Sequence, residues 1–254
     1  MSRELGGLSV LELQTFSDRY GRAFLPYPFR FVKPIPYEYD DELNRYRAEL
    51  LERSAAGEFD HLRRWLDVQL RDADIRVECL SVNAKDGGST MMSATRWRDL
   101  GFIAQQDSDD NISVTQVSAY ELGVEVAKRT ALSGRPGSHR RVVIPSVGIR
   151  ARDSNRSASV EPAIFARDED DGAVRIEPEE LVSGGEVQTV FRRAKRWGRD
   201  REKEFIGWVR TTTGDYVVQS PYEFATPTTR TQLAERIDRL ISADVMRIRE
   251  ARET

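Results

Sequence analysis

One cysteine, Cys79, stands in a chain of 254 residues, so no disulfide can close within it. That usage favours a reducing compartment. A chain this long buries roughly three quarters of its unfolded surface and needs neither staples nor a metal to fold. Histidine is nearly as scarce, with only His61 and His139. Zinc takes about four Cys or His ligands, more than the scattered Cys79, His61 and His139 supply. His61 follows Asp60 at a helix start, a polar surface position. Ser138 precedes His139, but neighbours in extended chain point to opposite faces, which makes the pair a poor nucleophile–base dyad. None of the five lysines follows a glycine and no G-x-G-x-x-G occurs, so the phosphate-cradling signatures are missing.

Long apolar runs are missing too. The longest, 142–149, is broken by Pro145 and falls far short of the ~20 residues that span a bilayer. The first residues carry Glu4 and Glu12 and lack a secretory apolar core. A cytoplasmic protein is the expectation. Lys+Arg 39 against Asp+Glu 42 leaves a net charge of -3, so no global field draws the chain to nucleic acid or anionic lipid. Asp107-Ser108-Asp109-Asp110-Asn111 opens like a calcium loop. Ile112 replaces its turn glycine, however, and Ser118 its bidentate glutamate, so a solvated hairpin turn is the better reading. Asp168-Glu169-Asp170-Asp171-Gly172 fails in the same way. Many carboxylates are present, but none is singled out as a catalytic pair. No cofactor and no metal are expected.

What is present is a mixed α and β pattern. Leu8-Ser9-Val10-Leu11-Glu12-Leu13 reads as a short strand or directly as a helix, with Leu13, Phe16 and Tyr20 at helical spacing. Phe24 to Pro36 is rich in aromatics and prolines, which exclude helix and suggest a strap over a core edge. Helices follow at 40–57, with a stripe of Leu43, Tyr46, Leu50 and Leu51, and at 60–70, with Leu62, Trp65, Leu66 and Leu70. Alternation then predicts strands at Ile75-Val77-Cys79, 91–97, 102–106 and 112–116, with a turn at Lys85-Asp86-Gly87-Gly88. Ser118 and Glu121 form a capping box opening a helix to Leu132. Beyond the break at 133–137 come a short strand at 141–145, a polar segment at 150–159 and an acidic turn at 168–172. A short helix from Glu177 is expected to stop at Gly184-Gly185. Strands at 187–194, 205–210 and 215–219 precede a last helix from Pro227, with a stripe of Leu233, Ile237, Ile241, Val245 and Ile248.

The order repeats. Phe102-Ile103, a turn, Asn111 to Val114 and a helix correspond to Phe205-Ile206, a turn, Gly214 to Val217 and a helix. The predicted fold is α+β: two pseudo-two-fold-related halves, about 1–132 and 133–254, forming an antiparallel sheet flanked by helices with a helix at the C-terminus. The strongest charge cluster is Arg192-Arg193-Ala194-Lys195-Arg196-Trp197-Gly198-Arg199. An RNA-binding strand is one reading of it. Glu186, Asp200, Glu202 and Glu204 flank it closely, so a charge-guarded edge strand is the simpler one. Without a catalytic constellation, a binding or chaperoning protein is expected. A general interaction module or an RNA binder is the alternative.

Three stretches carry a family likeness. Leu8 to Glu12 leads to Leu25-Pro26-Tyr27-Pro28-Phe29. Pro136-Gly137 precedes Val142-Val143-Ile144-Pro145. Phe205-Ile206-Gly207-Trp208-Val209-Arg210 is followed by Gly214-Asp215-Tyr216-Val217-Val218. In this order they resemble the EspG family of ESX (type VII) secretion-associated proteins of actinobacteria, in which the late turn often runs Gly-Arg-Tyr where Asp215 stands here. The resemblance covers nearly the whole chain through loose motifs. It implies a non-enzymatic cytosolic chaperone, a monomer or weak dimer, that binds the hydrophobic tip of a PE–PPE-like client for export. It also implies contact through the loop between the second and third strands, the sheet face and C-terminal helices. By element order these map to Lys85-Asp86-Gly87-Gly88-Ser89-Thr90, to the region near Leu181 and to the helix from Pro227. Met91 and Met92 are candidates for adaptable apolar contacts beside that loop, with a core role as the plainer alternative.

Overall fold

Ser9 decides how the chain begins. In the computed structural model, which describes residues 2–144, 173–191, 203–218 and 224–253, strand β1 (Arg3–Ser9) runs straight into helix α1 (Val10–Arg19). Strand and helix are therefore both realised. The Ser9 hydroxyl accepts from the Glu12 backbone N–H at 3.2 Å, and the Glu12 carboxylate accepts from the Ser9 N–H at 2.7 Å. This reciprocal cap satisfies two otherwise orphaned donors at the helix start. Helices α2 (Asp40–Ala55) and α3 (Asp60–Asp67) follow, the latter continuing as a π-helical turn over Val68–Asp72.

The rest is built on one sheet. Its strands are β2 (Ile75–Asn83), β3 (Ser89–Trp97), β4 (Leu100–Gln106) and β5 (Asn111–Ser118). They continue with β6 (Val142–Val143), β7 (Val174–Arg175), β8 (Leu181–Phe191), β9 (Phe205–Thr211), β10 (Gly214–Val218) and β11 (Ala225–Pro227). The order among the described residues is β1-β5-β4-β3-β2-β8-β9-β10-β11-β6-β7. The β6–β7 pair is parallel, and every other pairing is antiparallel. Helix α4 (Leu122–Arg129) follows β5, and helix α5 (Arg230–Glu253) follows β11.

At the centre β2 and β8 run antiparallel from Ile75↔Phe191 to Asn83↔Ser183. Outward from that pair the order reads β3, β4, β5 on one side and β9, β10, β11 on the other, each run ending in a helix. The fold is thus α+β with a symmetric strand order and a C-terminal helix. Both helices lie on one face of the sheet, where α4 and α5 share one core. The sequence offset that matched Phe102-Ile103 to Phe205-Ile206 is off by one strand. Those pairs lie on β4 and β9, whereas the sheet relates β4 to β10. Successive hairpins of an antiparallel sheet share the same alternation, so a short pattern does not distinguish a strand from its neighbour.

The alternation of strand side chains feeds two faces. Under α1 and α3 lie Phe16, Leu50, Trp65, Met91 and Phe102. Under α4 and α5 lie Val77, Met92, Ile103, Trp208, Leu233 and Ile237. A smaller core joins Val142, Leu181, Val209 and Tyr216. Each large side chain removed from water in these layers contributes about 1.5–3 kcal/mol.

Several local expectations need correction. Of the α2 stripe only Leu50 is buried; Leu43, Tyr46 and Leu51 are half-buried, because the helix meets α1 along a narrow edge. The Ser118 hydroxyl accepts from the Tyr120 N–H at 3.2 Å and heads a 3-10 turn, Ala119–Glu121, so α4 begins later and stops short of Leu132. No helix spans 177–185. A 3-10 turn at Pro178–Glu180 leads directly into β8, which contains Gly184 and Gly185. A Cβ on Gly185 would lie 2.5 Å from the Trp208 ring and 2.7 Å from the Leu80 carbonyl oxygen. Glycine is there to seat the cross-strand indole, and it ends nothing. The polar segment 150–159, the acidic turn 168–172 and the basic run 192–199 lie outside the described residues.

Candidate functional site

The loop between β2 and β3 is a tight turn. The Asn83 N–H donates to the Gly88 carbonyl at 2.8 Å and the Gly87 N–H to the Asn83 carbonyl at 3.0 Å. Asn83 Oδ1 accepts from the Lys85 N–H at 2.9 Å, and Asp86 Oδ1 accepts from the Gly88 N–H at 2.8 Å. These side-chain bonds fix the turn from within, as Asn and Asp do at such positions. Lys85, Asp86, Gly87 and Gly88 are exposed, while Ser89 and Thr90 are half-buried in the start of β3. The Ala84 N–H donates to the Val182 carbonyl at 3.0 Å, tying the turn to the start of β8.

Met91 and Met92 do not join this surface. Both are buried, Met91 in the core under α1 and α3 and Met92 in the core under α4 and α5. Adjacent strand residues point to opposite faces, so each methionine fills one core and neither is open to a partner. The region near Leu181, expected to be helical, is the start of β8, with Leu181 itself buried. The last helix is present as α5, but it begins at Arg230; Pro227 ends strand β11 and does not open the helix. Its Asp238 accepts from the Gly123 N–H of α4 at 3.1 Å, and burial raises the Asp238 pKa.

Beside the turn runs the proline-rich strap. Leu25 and Phe29 enter the core, as expected of a strap, whereas Val32, Ile35 and Tyr39 are exposed. Its backbone is held by two side chains that sequence reasoning passed over. Gln106 donates to the Arg30 carbonyl at 2.7 Å and accepts from the Arg30 N–H at 3.3 Å. Asp110 accepts from the N–H groups of Val32 and Lys33, both at 3.0 Å. The nearby Asp107 carboxylate accepts from the backbone of Asp109 and Asn111, which confirms a solvated hairpin turn between β4 and β5. No pattern rule links residues so far apart, so nothing in the sequence marked Gln106 or Asp110 as anchors. Arg30 Nη2 also reaches Ser89 Oγ at 3.4 Å, joining the strap to the first residue of β3.

Two of the stretches behind the family likeness meet in space. Asp215 on β10 is fully buried. Its carboxyl oxygens accept from the Ser133 N–H at 3.1 Å, the Ser133 hydroxyl at 2.9 Å and the Gly134 N–H at 2.6 Å. Backbone bonds Asp215 N–H to Arg135 carbonyl, 2.8 Å, and Gly137 N–H to Asp215 carbonyl, 2.9 Å, complete the joint. Gly214, at φ +135, lies so close to Pro136 that a Cβ would come within 2.6 Å of its carbonyl oxygen. Asp215 is thus the acceptor that folds 133–137 onto the late hairpin.

Glu78, on the central strand, is 5% exposed. Burial pushes its carboxyl up to about 8, with Arg76 and Lys203 drawing it partly back. Burial also raises the pKa of the Cys79 thiol, which is inert in its apolar setting. Among the described residues no group of His, Cys, Asp and Glu is arranged to hold a metal ion, and no helix is long and apolar enough to cross a membrane.

A model of the EspG family matches residues 9–239. No curated protein matches the chain. Among solved structures, the chain is similar to the type VII secretion system chaperone EspG5 of Mycobacterium tuberculosis, solved in complex with a PE25–PPE41 dimer. The two are 12% identical, over 95% of this chain and 96% of that chain, with a TM-score of 0.49.

Proposed function

The chain belongs to the EspG family, and on that premise we propose that it is a cytosolic chaperone of a type VII secretion system. It binds the hydrophobic tip of a PPE-like helical client, keeps the client soluble for export, and catalyses no reaction. The observation that carries this reading is the family match across nearly the whole chain. The geometry supports it in one respect: the turn at 84–88 and the strap exposing Val32 and Ile35 are joined through Arg30 and Ser89. A helical tip with exposed apolar residues associates with itself unless a complementary surface covers it. A polar turn beside an apolar strip combines the rim and centre that such an interface needs. We read 1–132 and 133–254 as its two halves, in keeping with the symmetric strand order.

Co-expression with a PE–PPE-like pair from the same genome, followed by gel filtration, tests the proposal. One co-eluting complex is expected, with the pair precipitating when expressed alone. Replacing Lys85 and Asp86 by residues of opposite charge should weaken the complex and leave the chaperone folded. A pair that is soluble alone and never co-elutes refutes the reading.

A further inference from the structure

An open cleft of about 520 Å³ lies between the 133–135 segment and the β9–β10 turn, with Arg135, Arg210, Thr212 and Val182 among its walls. Its position follows from the fold. The Asp215 carboxyl draws Ser133 and Gly134 onto β10 and leaves Arg135 outside, exposed at the rim. Arg210 is held by donation from Nη1 to the Ala131 carbonyl at 3.2 Å. Close by, Arg230 donates from Nη2 to the Leu132 carbonyl at 2.6 Å. Carbonyl partners orient these guanidinium groups without neutralising them. Among the described residues, neither Arg135 nor Arg210 takes part in an ion pair.

The acidic residue directly across the β9–β10 pair from Arg210 is Asp215. Asp215 is fully buried behind the wall, with its oxygens taken by Ser133 and Gly134. Beyond Thr212 lies the Pro178–Glu180 turn, whose Glu180 carboxylate accepts from the Glu177 N–H at 3.0 Å. Among the described residues no carboxylate lines the cleft itself. Val182 connects the cleft to the turn at 84–88, because its carbonyl accepts the Ala84 N–H at 3.0 Å. The cleft is therefore next to that turn on the same end of the sheet.

We infer that this cleft is a carboxylate-binding subsite of the docking surface: an Asp or Glu side chain of the client seats between Arg135 and Arg210 while the client covers the 84–88 turn. The inference rests on the chaperone reading and adds to it a client chemistry, an acidic residue beside an apolar tip. Arg suits the role because its planar fork meets a carboxylate with two parallel N–H donors. Charge pairs at a rim set encounter rate and choice of partner more than they set depth of binding. Among similar clients, the subsite would select those with the acid in place.

Calorimetric titration of a PE–PPE-like pair, kept soluble by a fused solubility partner at the end away from its tip, into the full chain, at about 50 mM and about 300 mM salt, tests this. The parent should bind more weakly at high salt. Arg135→Glu combined with Arg210→Glu should weaken low-salt binding about tenfold or more and flatten the salt dependence. Because Arg210 also holds the Ala131 carbonyl, Arg135→Glu alone serves as the exposed variant that leaves the fold intact, and it should show the same trend. Equal affinity and equal salt dependence in Arg135→Glu and the parent overturn the subsite and leave the chaperone reading standing. No binding by the parent overturns both. If inorganic phosphate binds in an Arg135-dependent way while client affinity ignores Arg135, the cleft is a free-anion site, which also overturns the inference.

Discussion

Replacing Glu78 by glutamine should change how stability depends on pH. The carboxyl sits on the central strand, 5% exposed, and burial moves it from an ordinary 4.5 to about 8 in the folded chain. Below pH 4.5 folded and unfolded chains both hold the proton, and the stabilisation is complete. Between 4.5 and about 8 the unfolded chain releases a proton that the folded chain keeps, so stability falls as pH rises through this window. At about 1.36 kcal/mol per unit, up to about 4 kcal/mol is lost from this group alone. Glutamine has nearly the same shape and does not titrate. Glu78→Gln should match the parent at about pH 4 and exceed it by up to about 4 kcal/mol at about pH 8. Urea unfolding followed by tryptophan fluorescence reads the difference as a shift in midpoint at constant slope. Parallel profiles for parent and variant across the window would refute the reasoning, since they would mean that Glu78 is ionised and solvated within the fold.

Two further substitutions test the packing. Gly185→Ala places a methyl 2.5 Å from the Trp208 ring and 2.7 Å from a backbone oxygen that cannot yield. It should cost about 1–3 kcal/mol, seen as a lower denaturation midpoint with a shifted Trp208 emission. Asp215→Ala strands two backbone N–H groups and the Ser133 hydroxyl. A loss of about 2–4 kcal/mol is expected, with amide exchange speeding up first at Ser133 and Gly134.

How much of this was legible in the sequence depends on the range of each cause. Ile75, Val77 and Cys79 alternate with polar neighbours, so β2 could be read locally, and the Asn/Asp/Gly chemistry of 83–88 marked its turn. Gly184-Gly185 misled because glycine signals a break unless one knows that Trp208 lies across the strand. The repeat in strand order was visible, but its register was not, since β3, β4, β9 and β10 share the same alternation. Element order also put an exposed turn between β2 and β3. Met91 and Met92 were misplaced because no local pattern says that both faces of β3 are covered. Asp215, Gln106 and Asp110 organise the same end of the sheet through partners 76 to 82 positions away, a distance over which no spacing rule operates.

The central claim is tested most directly by light scattering on a gel-filtered mixture of this protein and a PE–PPE-like pair from its own genome. A single complex with the mass of the chaperone plus the pair, formed by a pair that aggregates on its own, is the predicted result. Separate elution of a monodisperse pair and free protein would contradict the claim.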